Sequence, residues 1–134
     1  MKQSGALLGG KRILIIEDTP ENMRLFRAVL QLEDAVVLEA ERAAIGIELA
    51  RRESPDLILM DMQMPEMDGL TATKILRADP QTQGIPIVIV TASAMPDDRK
   101  RAFAAGCSGY ITKPIDPVSM IEQLAAFFPN TPTP

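Results

Sequence analysis

Five short apolar runs recur along the chain: "RILIIE" (Arg12–Glu17), "AVVLEA" (Ala35–Ala40), "DLILMD" (Asp56–Asp61), "IPIVIVTA" (Ile85–Ala92) and "GYITKP" (Gly109–Pro114). Three of them are almost unbroken Ile, Leu, Val and Met, as in strands buried on both faces. Between the runs the spacing becomes helical. Met23, Phe26 and Leu30 fall on one face, with Leu25, Val29 and Leu32 beside them. Ala44, Ile45 and Leu49 make a weaker face after the second run, and Ala72, Ile75 and Leu76 follow the third. "DDRKRAFAAG" has acids at its start and Gly106 at its end, which suits the helix dipole and a glycine C-cap. Met120, Ile121, Leu124, Phe127 and Phe128 complete an amphipathic segment after the fifth run.

Strand and helix thus alternate five times. That alternation predicts a parallel sheet covered on both faces, with right-handed crossovers. The expected fold class is α/β: a doubly wound, five-stranded parallel sheet of order 2-1-3-4-5, a flavodoxin-like (βα)5 arrangement. The 134 residues suit one domain, with no internal repeat and no long linker. The expected boundaries are a flexible N-terminal extension over residues 1–10, the domain over 11–128, and a disordered tail over 129–134. "PNTPTP", with three prolines in six residues, cannot continue a helix.

Composition narrows the chemistry. A hydrophobic content of 46% supports one core, and a net charge of −4 argues against sequence-independent nucleic-acid binding. The single cysteine, Cys107, rules out an internal disulfide. "MKQSGALLGG" is too short an apolar patch for a signal peptide, and no run approaches the ~18 residues of a membrane helix. The expectation is a cytoplasmic chain that engages neither nucleic acid nor membrane. Histidine is absent altogether. This excludes His-based acid–base catalysis, Ser-His-Asp triads, most zinc sites and any phosphohistidine on this chain. Carboxylates, hydroxyls and lysines must carry whatever chemistry there is.

In a sheet of this kind, ligands sit outside the carboxyl ends of the strands. The first run ends on Glu17 and Asp18, the third on Asp61, the fourth on Thr91, and the fifth on Lys113. In the order 2-1-3-4-5 these strands are neighbours, so three carboxylates, a hydroxyl and an ammonium converge. Clustered carboxylates repel one another, and a hard divalent cation such as Mg2+ relieves the repulsion. An accessible Asp beside such a cation, a Lys and a hydroxyl is suited to accept a phosphoryl group.

With these residues in order and spacing, the chain resembles the receiver domains of bacterial two-component response regulators over about Lys11–Phe128. The match rests on Glu17-Asp18, Asp61 in "LILMDMQMPEMDG", Thr91 in "VTAS" and Lys113 in "YITKP". "TPENMRLF" adds a likeness to stand-alone regulators of the DivK type and to receivers attached to hybrid kinases. The resemblance implies Asp61 as phosphoacceptor and Mg2+ as cofactor. Asp18, Asp61 and the backbone carbonyl of Gln63 would hold the ion, with Glu17 acting mostly through water. Thr91 would hydrogen-bond the phosphoryl group, Lys113 would pair with one of its oxygens, and Tyr110 would be a rotameric switch. Lys113–Pro114 would be a cis peptide, and Gln63 and Ser93 would flank the site. The implied partners are a histidine kinase or histidine phosphotransfer protein and a downstream protein target. The readout surface would be helix 4, strand 5 and helix 5, on a monomer or weak homodimer. Apart from its own phosphorylation and dephosphorylation, the chain would not be an enzyme. Nothing after Pro129 has the length of an output domain, so output is expected to be protein–protein contact.

Other readings fit the residues less well. An aspartyl-nucleophile phosphatase of the haloacid-dehalogenase kind needs a second Asp two residues beyond the nucleophile, where this chain has Gln63. A dinucleotide-binding module needs a glycine-rich turn after the first strand, where this chain has Glu17-Asp18-Thr19-Pro20. A pure docking module would have no use for the acidic set.

Overall fold

The computed structural model describes residues 7–129. Ten elements follow in strict alternation: β1 (Arg12–Ile16), α1 (Pro20–Leu32), β2 (Val36–Ala40), α2 (Ala43–Glu53), β3 (Leu57–Asp61), α3 (Gly69–Ala78), β4 (Ile87–Thr91), α4 (Pro96–Ala105), β5 (Gly109–Thr112) and α5 (Pro117–Ala125). All strand pairings are parallel, in the order β2-β1-β3-β4-β5. The doubly wound α/β fold expected from the alternation is the one observed.

Side chains alternate across the sheet and build two cores. Ile13, Ile15, Leu57, Leu59, Val88 and Val90 pack beneath α1 and α5, around Phe26, Leu30 and Leu124. Leu14, Ile16, Ile58, Met60, Ile87 and Ile89 pack beneath α2, α3 and α4. β3 and β4 are buried at every position, which is why their sequences show no polar alternation. The two edge strands, β2 and β5, retain exposed positions.

Two features depart from expectation. The buried face of α2 consists of Ala43, Gly46, Ile47 and Ala50, while Ile45 stands 49% exposed. The cause is the closeness of helix to sheet: a Cβ at Gly46 would lie 2.3 Å from Ile16 Cδ1. Three small residues and Ile47 therefore make the contact face, and Ile45 turns outward. The second departure is at the N-terminus. Leu7–Gly10 were expected within a flexible extension, yet Leu8 is fully buried in the α1/α5 core. Gly10 N–H donates to Asp34 O at 3.0 Å and Leu7 N–H to Glu33 Oε1 at 3.2 Å. The rest of that expected extension, residues 1–6, and residues 130–134 of the expected tail lie outside the described residues.

Arg77 braces the side of the sheet nearest the later elements. Its guanidinium donates to the carbonyls of Gly106, Gln83 and Ile85 and to Ser108 Oγ at 2.7–3.1 Å. This ties the end of α3 to the turn between α4 and β5. Gly106 closes α4 with φ at 113°, the left-handed conformation expected of a glycine C-cap.

Candidate functional site

Strand register sets the site. Ile16 on β1 pairs with Met60 on β3, so the next residues, Glu17 and Asp61, come level with each other. Asp61 pairs with Val90, which places Thr91 one residue further along the neighbouring strand. Thr91 pairs with Thr112, and Lys113 follows, its N–H donating to Thr91 O at 2.7 Å. Four strand ends thus deliver their polar residues to one edge of the sheet, where no strand continues to fill the space.

Asp61 and Thr91 reach that edge from opposite faces. Asp61 has the parity of Leu57 and Leu59, on the α1/α5 side, whereas Thr91 has the parity of Ile87 and Ile89, on the α2–α4 side. Tyr110 shares the Thr91 side.

The acidic cluster is tight. One carboxylate oxygen from each of Glu17, Asp18 and Asp61 lies within 4.8 Å of the others. Glu17 and Asp61 are 1% and 6% exposed, while Asp18 is the most open of the three. Lys113 Nζ stands 3.6 Å from Asp61 Oδ1 and 3.9 Å from Glu17 Oε1. Gln63 N–H donates to Asp61 Oδ1 at 3.3 Å. Burial pushes the Asp61 carboxyl above the usual carboxylate range, against the opposing pull of Lys113 and Gln63, and the charge of Asp18 adds to the rise. Burial raises Glu17 as well, opposed first by the Thr19 N–H.

Glu17 is held from one side. Its Oε2 accepts from Thr19 N–H at 3.1 Å and from Asn22 Nδ2 at 3.4 Å, both at the start of α1. Its Oε1 is buried without a hydrogen-bond partner. A buried, unpartnered carboxylate oxygen within an acidic cluster suits a cation better than it suits the protein alone. The donor set is entirely oxygen, the chemistry of Mg2+ rather than of a soft metal.

The loop after β3 returns at once against the end of that strand. Gly69 N–H donates to Met62 O at 2.7 Å, and a Cβ at Gly69 would lie 2.6 Å from Asp61 O. Only a glycine allows this approach. Asp68 then caps α3 by accepting from Thr71 N–H at 2.8 Å.

The response regulator receiver domain family matches residues 13–125. The chain belongs to this family. The polar-differentiation response regulators DivK of Brucella anthropi and Brucella ovis are each 39% identical over 117 residues, or 87% of this chain and 95% of theirs. The receiver domain of a sensor histidine kinase from Pseudomonas aeruginosa PAO1 superposes with a TM-score of 0.84 at 30% identity, covering 91% of this chain and all of that one. That structure carries a magnesium ion coordinated in its active-site cleft. The chemotaxis protein CheY4 of Vibrio cholerae has a TM-score of 0.84 at 24% identity, covering 89% of this chain and 99% of that one, a likeness of fold alone.

As a receiver domain, the chain gathers Glu17, Asp18, Asp61, Thr91 and Lys113 at one edge, with Gln63 on the adjoining loop. Lys113–Pro114 is a cis peptide. Tyr110 lies apart from the acids but is connected to the same region, its hydroxyl donating to Ser93 O at 2.9 Å. The sequence reading did not find Asn22 on Glu17, nor Asp98, which accepts the Ser93 hydroxyl. The only available signal was position: Asn22 lies in the first turn of α1 and Asp98 in that of α4. Among the described residues, no helix is long and apolar enough to cross a membrane.

Proposed function

We propose that Asp61 accepts a phosphoryl group from the phosphohistidine of a histidine kinase or histidine phosphotransfer protein, and that the modified domain then changes its protein contacts. The observation that carries this reading is the meeting of Asp61 with Glu17, Asp18 and Lys113 at the open edge of the sheet. Asp61 keeps a small exposed surface, 6%, through which a donor reaches it.

The residues divide the work. An Asp61 carboxylate oxygen attacks phosphorus as the bond from phosphorus to the donor's imidazole nitrogen breaks. Lys113 is within reach to pair with a phosphoryl oxygen. Thr91 Oγ1 already accepts from Ser93 N–H at 3.1 Å, which leaves its own hydrogen to donate to the phosphoryl group. Asp18, Asp61 and the Gln63 carbonyl would hold Mg2+, with Glu17 acting mostly through water. The ion would supply charge neutralisation for the carboxylates and the incoming phosphoryl oxygens.

The output follows from the same connections. Thr91, the loop after β4 and Tyr110 form the element that phosphorylation biases, and α4, β5 and α5 form the surface that a downstream protein reads. We assign the domain to the cytoplasm, as a monomer or weak homodimer, with self-catalysed phosphorylation and dephosphorylation as its only chemistry.

The test is incubation with Mg2+ and acetyl phosphate. Wild type should gain one acid-stable, base-labile phosphoryl group, and Asp61→Asn should gain none. A wild-type chain that takes up no phosphoryl group and binds neither Mg2+ nor beryllofluoride would sink the proposal.

A further inference from the structure

The loop between β4 and α4 is organised around one residue, Ser93, all of whose polar atoms are engaged. Its N–H donates to Thr91 Oγ1 at 3.1 Å, and its carbonyl accepts from Tyr110 Oη at 2.9 Å. Its hydroxyl donates to Asp98 Oδ2 and accepts from Met95 N–H at 3.2 Å. Through its backbone, Ser93 therefore joins Thr91 at the acceptor edge to Tyr110 on β5. Through its side chain it is tied to the first turn of α4.

Asp98 is itself held. Its Oδ1 accepts from Arg101 Nη1 at 3.3 Å, one turn further along α4. The next residue, Arg99, lies over two rings, 5.0 Å from the centroid of Phe103 and 5.6 Å from that of Tyr110. Adjacent residues of α4 thus hold the same assembly from two directions: Asp98 fixes the loop that receives the tyrosine hydroxyl, and Arg99 covers the ring. A hydroxyl donated to a carboxylate is among the stronger neutral-to-charged hydrogen bonds. The loop has no regular structure of its own to hold it in place.

We propose that Asp98 is a positioning residue: by accepting the Ser93 hydroxyl it fixes the residue whose N–H binds Thr91 and whose carbonyl binds Tyr110, and so sets how firmly Tyr110 is kept inward. Asp98 touches neither Asp61 nor the acid cluster. It acts through Ser93.

The chain has one tyrosine and no tryptophan, so its tyrosine optical signals report Tyr110 alone. The experiment compares wild type with Asp98→Ala, Ser93→Ala and the double variant, using near-ultraviolet circular dichroism and Tyr110 fluorescence anisotropy. Far-ultraviolet circular dichroism confirms the fold. Each single variant should lose at least half of the Tyr110 near-ultraviolet band, and the double variant should lose no more than either. Asp97→Ala, on the same helical turn, should leave the band unchanged, and Asp98→Asn, which keeps an acceptor oxygen, should restore part of it. An unchanged band in Asp98→Ala, or additive losses in the double variant, would overturn the proposal.

A second arm adds Mg2+ and beryllofluoride and rests on the phosphoacceptor reading of Asp61. The Tyr110 response should be at least twofold smaller in Asp98→Ala than in wild type, and an equal response would count against the positioning role of Asp98. If wild type binds no beryllofluoride, the phosphoacceptor reading fails and the role of Asp98 is decided by the unmodified proteins; if it binds and Tyr110 does not respond, the coupling of Tyr110 to the acid cluster is overturned.

Discussion

The Lys113 ammonium stands 3.6 Å from Asp61 Oδ1, a cation facing a carboxylate that burial disfavours. Removing it leaves two buried acids, Asp61 and Glu17, without their nearest positive charge. Breaking one side of a fully buried pair costs about 3–5 kcal/mol, and Lys113 is partly exposed, so Lys113→Ala should cost about 1–3 kcal/mol in metal-free buffer. Urea denaturation measures this. In an Asp61→Asn background the loss should shrink without vanishing, because Glu17 remains. Equal losses in both backgrounds would show that Lys113 does not stabilise the chain through Asp61.

The same carboxylate makes stability depend on pH in a direction opposite to that of most acids. Burial raises Asp61 in the folded state, so the folded protein binds this proton more readily than the unfolded chain. The resulting stabilisation is complete below the unfolded value and is lost as pH rises through the folded one. At pH ~7 the ionised form is therefore a net cost, and Asp61→Asn should unfold at higher urea concentration than wild type when metal is chelated. The difference should narrow as pH falls toward the ordinary aspartate value of about 3.9, because the folded protein takes up the proton at Asp61 before the unfolded chain does. A difference that widens on acidification would mean that pairing with Lys113 outweighs burial.

The parts of this architecture that were legible in the sequence share a physical cause. Strands buried on both faces require unbroken apolar runs, and a polar residue that interrupts such a run marks the end of the strand. β3 and β4 with Asp61 and Thr91 follow that rule, and parallel topology brings the strand ends together. The face of α2 is not legible by spacing because three of its four contact residues, Ala43, Gly46 and Ala50, are Ala or Gly, to which hydrophobic spacing is blind. Asn22 on Glu17 and Asp98 on Ser93 depend on rotamers and loop geometry, which residue type alone does not determine. Leu8 gives no spacing signal, because the pair Leu7-Leu8 ahead of two glycines is too short to show a period.

Gly69 sets how closely the loop after β3 can return to the strand end that carries Asp61. A Cβ there would meet backbone atoms, Asp61 O at 2.6 Å and Met62 Cα at 2.9 Å, and neither can rotate away. Gly69→Ala should cost about 1–3 kcal/mol, the usual range for overpacking. It should also lower phosphoryl uptake in the protein that remains folded, because Asp61 itself is displaced. Gly84→Ala is the matched control, since a Cβ at Gly84 would meet nothing within 4 Å. That substitution should be neutral or stabilising by up to about 1 kcal/mol. Denaturation midpoints together with acetyl phosphate labelling decide the matter, and wild-type labelling in Gly69→Ala would show that the loop can give way.

Leu8 separates folding from function, because it lies at the opposite edge of the sheet from the acids. It precedes β1 and packs with Phe26, Leu30 and Ala35, beside the turn where Lys11 N–H donates to Leu8 O at 2.9 Å. A leucine on a mobile extension could be replaced by alanine with a change within about 0.5 kcal/mol. A leucine buried in a core loses about 2–5 kcal/mol when truncated to alanine, through lost transfer energy and the cavity left behind. Leu8→Ala should fall in the second range, with a lower urea midpoint and an unchanged slope. Phosphoryl uptake per folded molecule should match wild type, because no strand end that carries the acids moves. A midpoint equal to that of wild type would place Leu8 outside the core and return the domain boundary to Lys11.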